Sequence, residues 1–126
     1  MGGRGRLDGL RAAVVGPGAV GSALARDLAA AGALVRLWSR TPGRAARVRR
    51  RLARGPAGRR IAAEAELAQA LFGAEAVLLA VGDEALEPAA ERVAQALATG
   101  ARPAALHTHG ARGSEALAAL ARAPWV

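Results

Sequence analysis

The chain contains no cysteine, no lysine and no tyrosine, and its aromatic residues are one phenylalanine and two tryptophans. The missing cysteine excludes disulfides, thiolate metal sites and a thiol nucleophile. With so few aromatics, the core must be built from alanine, leucine and valine and packed closely. Acids are also scarce. The formal net charge is +8, and every basic residue is an arginine. Arginine in place of lysine, with alanine filling the helices, is the pattern of a GC-rich coding sequence. A basic chain also raises the question of a nucleic-acid partner. The near-absence of stacking residues, and of any nucleic-acid motif, argues against one. No apolar run is long enough to span a membrane, and no signal peptide precedes Gly16, so a cytoplasmic protein is expected.

What is present is alternation. The 126 residues suit one domain, with Met1–Asp8 as a flexible lead-in. A first strand over Leu10–Val15 runs into Gly16-Pro17-Gly18-Ala19-Val20-Gly21. A helix follows, with Val20, Leu24, Leu28 and Ala31 expected to face the sheet and Gly32 to end it. Leu34–Trp38 reads as strand two. Thr41-Pro42 reads as an N-cap and first helical position, opening a helix to about Arg54. A short strand at Arg60–Ala62, a helix over Ala63–Leu71 and a buried strand over Ala76–Val81 come next. A helix then starts between Asp83 and Glu87, with Pro88 confined to its first turn, and ends near Gly100. Arg102–His107 is strand five, Ser114–Ala123 the last helix, and Pro124-Trp125-Val126 the place for a sixth strand. Strand and helix alternating throughout specify a doubly wound parallel α/β/α sandwich. Right-handed crossovers predict the strand order 3-2-1-4-5.

The glycine run is the G-x-G-x-x-G fingerprint in its required setting, after a strand and opening a helix. Gly16 allows the tight turn, Gly18 leaves room for a pyrophosphate against the backbone, and Gly21 lets the helix approach the sheet. The free N–H groups at the helix start, at Ala19 and Val20 beyond the turn through Pro17, favour negative charge. This is the Rossmann dinucleotide-binding pattern, and the ligand belongs across the carboxyl ends of strands one and four.

The end of strand two selects the cofactor. NAD sites usually place Asp or Glu about 20 residues beyond the glycines, to accept from the ribose 2′-hydroxyl. Here stand Ser39, Arg40 and Thr41, with Arg44 a helical turn on, and no acid between Leu28 and Ala63. Guanidinium groups grip a 2′-phosphate that a carboxylate would repel. NADP is therefore favoured over NAD. The competing assignment puts Arg40 and Arg44 on the basic face of the second helix with Arg47, Arg49, Arg50 and Arg51, and spends Thr41 as a cap.

Four segments occur in a telling order: Val14–Gly21, Leu37-Trp38-Ser39-Arg40, Leu79–Asp83 and Leu106-His107-Thr108-His109-Gly110. Together they resemble the N-terminal Rossmann domain of the 6-phosphogluconate dehydrogenase-like superfamily. The nearest branch is an uncharacterised group of NADP-dependent oxidoreductases with a helical C-terminal domain. The resemblance implies that Val81, Gly82 and Asp83 line the nicotinamide half, and that His107 and Thr108 face the same crevice. His107 would then polarise or protonate a carbonyl or imine as hydride arrives; a loop-bound histidine is the alternative, and a helix cap is the alternative for Asp83. Relatives often have proline at the position of Gly82 and serine at that of His109. Those built on a catalytic lysine have no counterpart here. In the relatives generally, the helical domain forms much of the substrate pocket and the dimer contact. An NADP-binding domain of an oxidoreductase acting on a small carbonyl or imine is thus expected, needing that helical domain or a second copy as partner. A non-catalytic nucleotide-sensing module is the competing function. Two histidines in one loop, without nearby acids, do not make a metal site.

Overall fold

β1 (Arg11–Val15) is the central strand, and its sequence explains why: Ala12 to Val15 are small or β-branched and are buried on both faces of the sheet. A computed structural model describes residues 6–55 and 57–108. The elements in chain order are β1, α1 (Ala19–Ala30), β2 (Leu34–Trp38), α2 (Arg44–Leu52), a single 3₁₀ turn at Gly58–Arg60, β3 (Ile61–Ala63), α3 (Leu67–Leu71), β4 (Ala76–Leu79), α4 (Asp83–Ala96) and β5 (Ala104–His107). The five strands pair in parallel in the order β3-β2-β1-β4-β5. The order reverses between β1 and β4, as the crossover rule requires. The expected last helix from Ser114, the sixth strand at Pro124–Val126 and His109 lie outside the described residues.

The core is divided by the sheet. On one face Ala13, Val15, Val77 and Leu79 pack with Leu67, Ala70 and Leu71 of α3 and with Leu86, Ala90 and Val93 of α4. On the other, Val14, Val35, Leu37 and Ile61 pack with Ala25 and Ala29 of α1 and Ala45 and Val48 of α2. This is a three-layer α/β/α sandwich.

Several expectations change at the level of side chains. The buried stripe of α1 is Gly21, Ser22, Ala25 and Ala29. Val20, expected inward, is 55% exposed. Leu28 flanks the core instead of filling it. The helix sits so close to the sheet at Gly21 that only small residues fit beneath it, and the longer side chains turn to its margins. Gly32 does follow the end of α1: its N–H donates to Ala29 and that of Ala33 to Leu28, the paired bonds of a Schellman ending. The lead-in is tied down from Leu7, whose N–H donates to the Ala31 carbonyl at 2.9 Å and whose side chain packs on the core.

Thr41 is not the cap of α2. The chain makes a turn from Thr41 to Arg44, in which the Arg44 N–H donates to the Thr41 carbonyl. Gly43, with φ +79, occupies the cap position and offers no side chain. Likewise Gly82, not Asp83, precedes α4, so Asp83 is the first helical residue. Asp83 and Glu84 in that first turn complement the helix dipole. Pro88 falls in the second turn of α4. Its nitrogen has no proton for the Glu84 carbonyl, so the helix accepts one missing bond there.

Several arginines serve the fold. Arg36 of β2 donates to the carbonyls of Gln69 (2.8 Å) and Phe72 (3.0 Å), closing the end of α3. Arg49 donates to the Ile61 carbonyl and Arg60 to that of Ala29. Part of the positive charge is thereby structural.

Candidate dinucleotide site

Beyond the last residues of β1 the sheet opens. The Gly16 N–H still donates to Trp38 of β2, and the Ala80 N–H to Val15. After these bonds the chains of β1 and β4 part, each turning into its own helix. The result is a cleft of about 370 Å³ at the carboxyl ends of the strands, where the strand order reverses.

Gly16 has φ +87. A Cβ there would stand 2.5 Å from Val81 Cγ1 and 3.0 Å from the Ala80 carbonyl oxygen. Glycine is thus required twice, by the backbone conformation and by the neighbouring strand. A Cβ on Gly21 would stand 2.6 Å from the Gly16 carbonyl oxygen and 3.1 Å from Ala80 Cβ. Gly18 differs. The nearest atom to a Cβ there is Arg44 Nη2, at 3.6 Å, ordinary van der Waals separation. No described residue demands glycine at position 18, so its small size leaves space open toward the cleft.

The turn is braced from behind. Pro17 is fully buried, and Ser22, itself buried, donates its hydroxyl to the Pro17 carbonyl at 3.1 Å. No side chain caps α1, and its first turn carries no acid. The exposed backbone N–H groups and the dipole therefore present positive potential at the glycine turn.

The cleft gathers Gly16 and Gly18 with Ser39, Arg40, Thr41 and Arg44 from the β2–α2 connection, and with Val81 and Gly82 after β4. The Ser39 hydroxyl oxygen accepts from the Thr41 N–H at 3.2 Å, which shapes that connection. Pro17, Ala19, Val20, Gly21, Asp83, His107 and Thr108 do not line the cleft. Pro17 and Gly21 support it from within the fold. His107 ends β5, in register with Leu79 of β4, and Thr108 follows it, one strand beyond the cleft wall.

One wall was missed from the sequence. Ala85, Pro88, Ala89 and Arg92 of α4 line the cleft; their spacing of three and four residues marks one helical face. Arg92 lies over the Trp38 ring, 5.1 Å from its centre, a cation–π distance. The Trp38 indole N–H donates to the Ala65 carbonyl at 3.2 Å. A second, larger hollow of about 760 Å³ adjoins the cleft through Trp38, Ser39, Arg40, Thr41 and Arg92, and Glu64 and Glu66 also line it. Among the described residues no group of His, Cys, Asp or Glu is placed to hold a metal ion, and no helix is long and apolar enough to cross a membrane.

Solved structures share this architecture. Glycerol-3-phosphate dehydrogenase from Coxiella burnetii is 25% identical over 94% of this chain, with a TM-score of 0.68. Arogenate dehydrogenase from Synechocystis is 21% identical over 83% of the chain (TM-score 0.67), and 3-hydroxybutyryl-CoA dehydrogenase from Escherichia coli 21% over 90% (TM-score 0.67). The chain spans 38%, 36% and 27% of those three proteins respectively. No curated protein sequence matches it. The family model for the N-terminus of NAD-dependent glycerol-3-phosphate dehydrogenase matches residues 11–117. With its glycine turn, strand order and cleft in place, the chain belongs to this family of nicotinamide-dinucleotide-binding Rossmann domains, within the superfamily its motifs resembled.

Proposed function

We propose that the chain is the NADP-binding domain of an oxidoreductase that exchanges hydride with a small carbonyl or imine substrate. The observation that carries this reading is the charge of the cleft: among the described residues Arg40, Arg44 and Arg92 line it, and no carboxylate does. The family's description refers to NAD. A ribose 2′-hydroxyl would find no acidic acceptor among these lining residues, whereas a 2′-phosphate would meet guanidinium and hydroxyl donors. Ser39, Arg40 and Thr41 form the 2′-phosphate end. The Thr41 side chain, released from the capping role, is available there. Gly16 and Gly18 receive the pyrophosphate, and Val81 and Gly82 border the nicotinamide half. When bound, the nicotinamide supplies or accepts the hydride. His107 is the candidate proton donor to the substrate oxygen or nitrogen, from the end of the neighbouring strand.

Arg40→Ala is expected to weaken NADPH binding by about 1–3 kcal/mol, the range for a charged hydrogen bond, and to leave NADH nearly unchanged. Calorimetric titration of both cofactors checks this. Equal losses, or a native preference for NADH, would refute the NADP assignment.

A Rossmann domain forms one wall of an active site. Positioning a substrate against the nicotinamide supplies roughly 7–11 kcal/mol of barrier reduction, and that work is assigned to a second domain or a second copy. Residues 1–126 alone are therefore expected to bind NADPH yet show little turnover on a panel of carbonyls and imines, followed at the nicotinamide absorbance band. Robust turnover would show that one wall suffices.

A further inference from the structure

Arg44 occupies a different part of the cleft from Arg40. Arg40, with Ser39 and Thr41, borders both the cleft and the adjoining hollow, whereas Arg44 borders only the cleft that contains Gly16 and Gly18. Its Nη2 lies 3.6 Å from the point where a Cβ on Gly18 would stand, over the space that glycine leaves open. Among the described residues its guanidinium forms no hydrogen bond and no ion pair. Its setting is unfavourable for a cation. Arg44 is the first residue of α2, the positive end of that helix, and no acid stands in the first turn. The uncapped start of α1, also positive, lies across the same cleft. Three sources of positive potential converge at Gly18, and the described residues that line the cleft include no acid to balance them.

We infer that Arg44 is a pyrophosphate clamp: its guanidinium closes over the diphosphate of the bound dinucleotide from the α2 side, opposite the backbone N–H groups of α1. The β2–α2 connection then divides its labour. Arg40 reads the 2′-phosphate and sets cofactor choice, while Arg44 grips the part common to NAD, NADP and ADP and sets affinity without choice. The glycine cap at Gly43, with φ +79, supplies the turn that brings Arg44 back toward the glycine loop. This inference rests on the dinucleotide reading of the cleft and is independent of the preference for NADP.

The test is calorimetric titration of wild type, Arg44→Ala and Arg44→Gln with ADP, NADH and NADPH, beside thermal melting of the free proteins. Removing a bidentate charged contact should lower affinity by at least about tenfold, by the same factor for all three ligands and in both variants. The melting temperature should hold or rise, because a cation is lost from a helix N-terminus. A loss confined to NADPH would overturn the inference by placing Arg44 on the 2′-phosphate. So would unchanged affinities, or a loss seen with alanine and not with glutamine, which would indicate packing of the side-chain stem. If the wild type prefers NADH and Arg40→Ala is silent, the NADP reading fails, while an equal loss across the three ligands still establishes the clamp.

Discussion

Gly18→Val is expected to eliminate dinucleotide binding in a protein that remains folded. Among the described residues a Cβ at position 18 meets no atom closer than 3.6 Å, and that atom is the far end of the flexible Arg44 side chain. Gly18 has φ −78 and ψ −153, extended backbone with φ on the negative side, so a side chain costs little conformationally. The added isopropyl group projects into the volume that the diphosphate must enter to reach the N–H groups of α1. Circular dichroism and thermal melting should resemble wild type. A fluorescence titration with NADPH should show no saturation at concentrations that fill the wild-type site. Undiminished affinity in the folded variant would remove the glycine turn from the binding site.

Gly21→Ala is expected to act in the opposite way, on the fold before the ligand. In an exposed helix, alanine is favoured over glycine by about 1 kcal/mol. At position 21 that gain is outweighed. The new methyl would stand 2.6 Å from the Gly16 carbonyl oxygen, 3.1 Å from Ala80 Cβ and 3.3 Å from Val14 Cγ1. The first of these is backbone of the glycine turn and the third belongs to the central strand, so neither yields without shifting the helix. Overpacking of this kind typically costs about 1–3 kcal/mol. The unfolding midpoint in urea should fall accordingly, with an unchanged denaturant slope. A variant as stable as wild type would show that α1 can lift from the sheet at little cost. The contrast with Gly18 separates the two glycines: one is small for a ligand, the other for a strand.

The same distinction marks what the amino-acid sequence determined alone and what waited for the tertiary structure. Alternating strand and helix patterns, with the handedness of parallel crossovers, determined the order 3-2-1-4-5 and hence the position of the cleft. The fingerprint determined that Gly16 and Gly18 would border it. The missing acid after strand two determined that Ser39, Arg40, Thr41 and Arg44 would bring hydroxyl and positive groups to its other side. These are local patterns, read from spacing and residue type.

Tertiary packing decided the rest. Hydrophobicity ranks leucine above alanine, so Leu24 and Leu28 were the natural inward face of α1; the close approach at Gly21 selected Ala25 and Ala29 instead. Thr41 has the chemistry of a cap, but the turn through Gly43 moved the helix start past it. Arg92 lies far from the glycines in sequence and carries no motif; only the seating of α4 on the Trp38 side of the sheet brought it to the cleft. The roles of the arginines were likewise undecided by composition. Arg36, Arg49 and Arg60 reach backbone carbonyls within the fold, while Arg40 and Arg44 face the cleft. Guanidinium chemistry is the same at all five positions. What differs is whether a folded neighbour presents an acceptor or leaves a space, and that depends on contacts between segments distant in the chain.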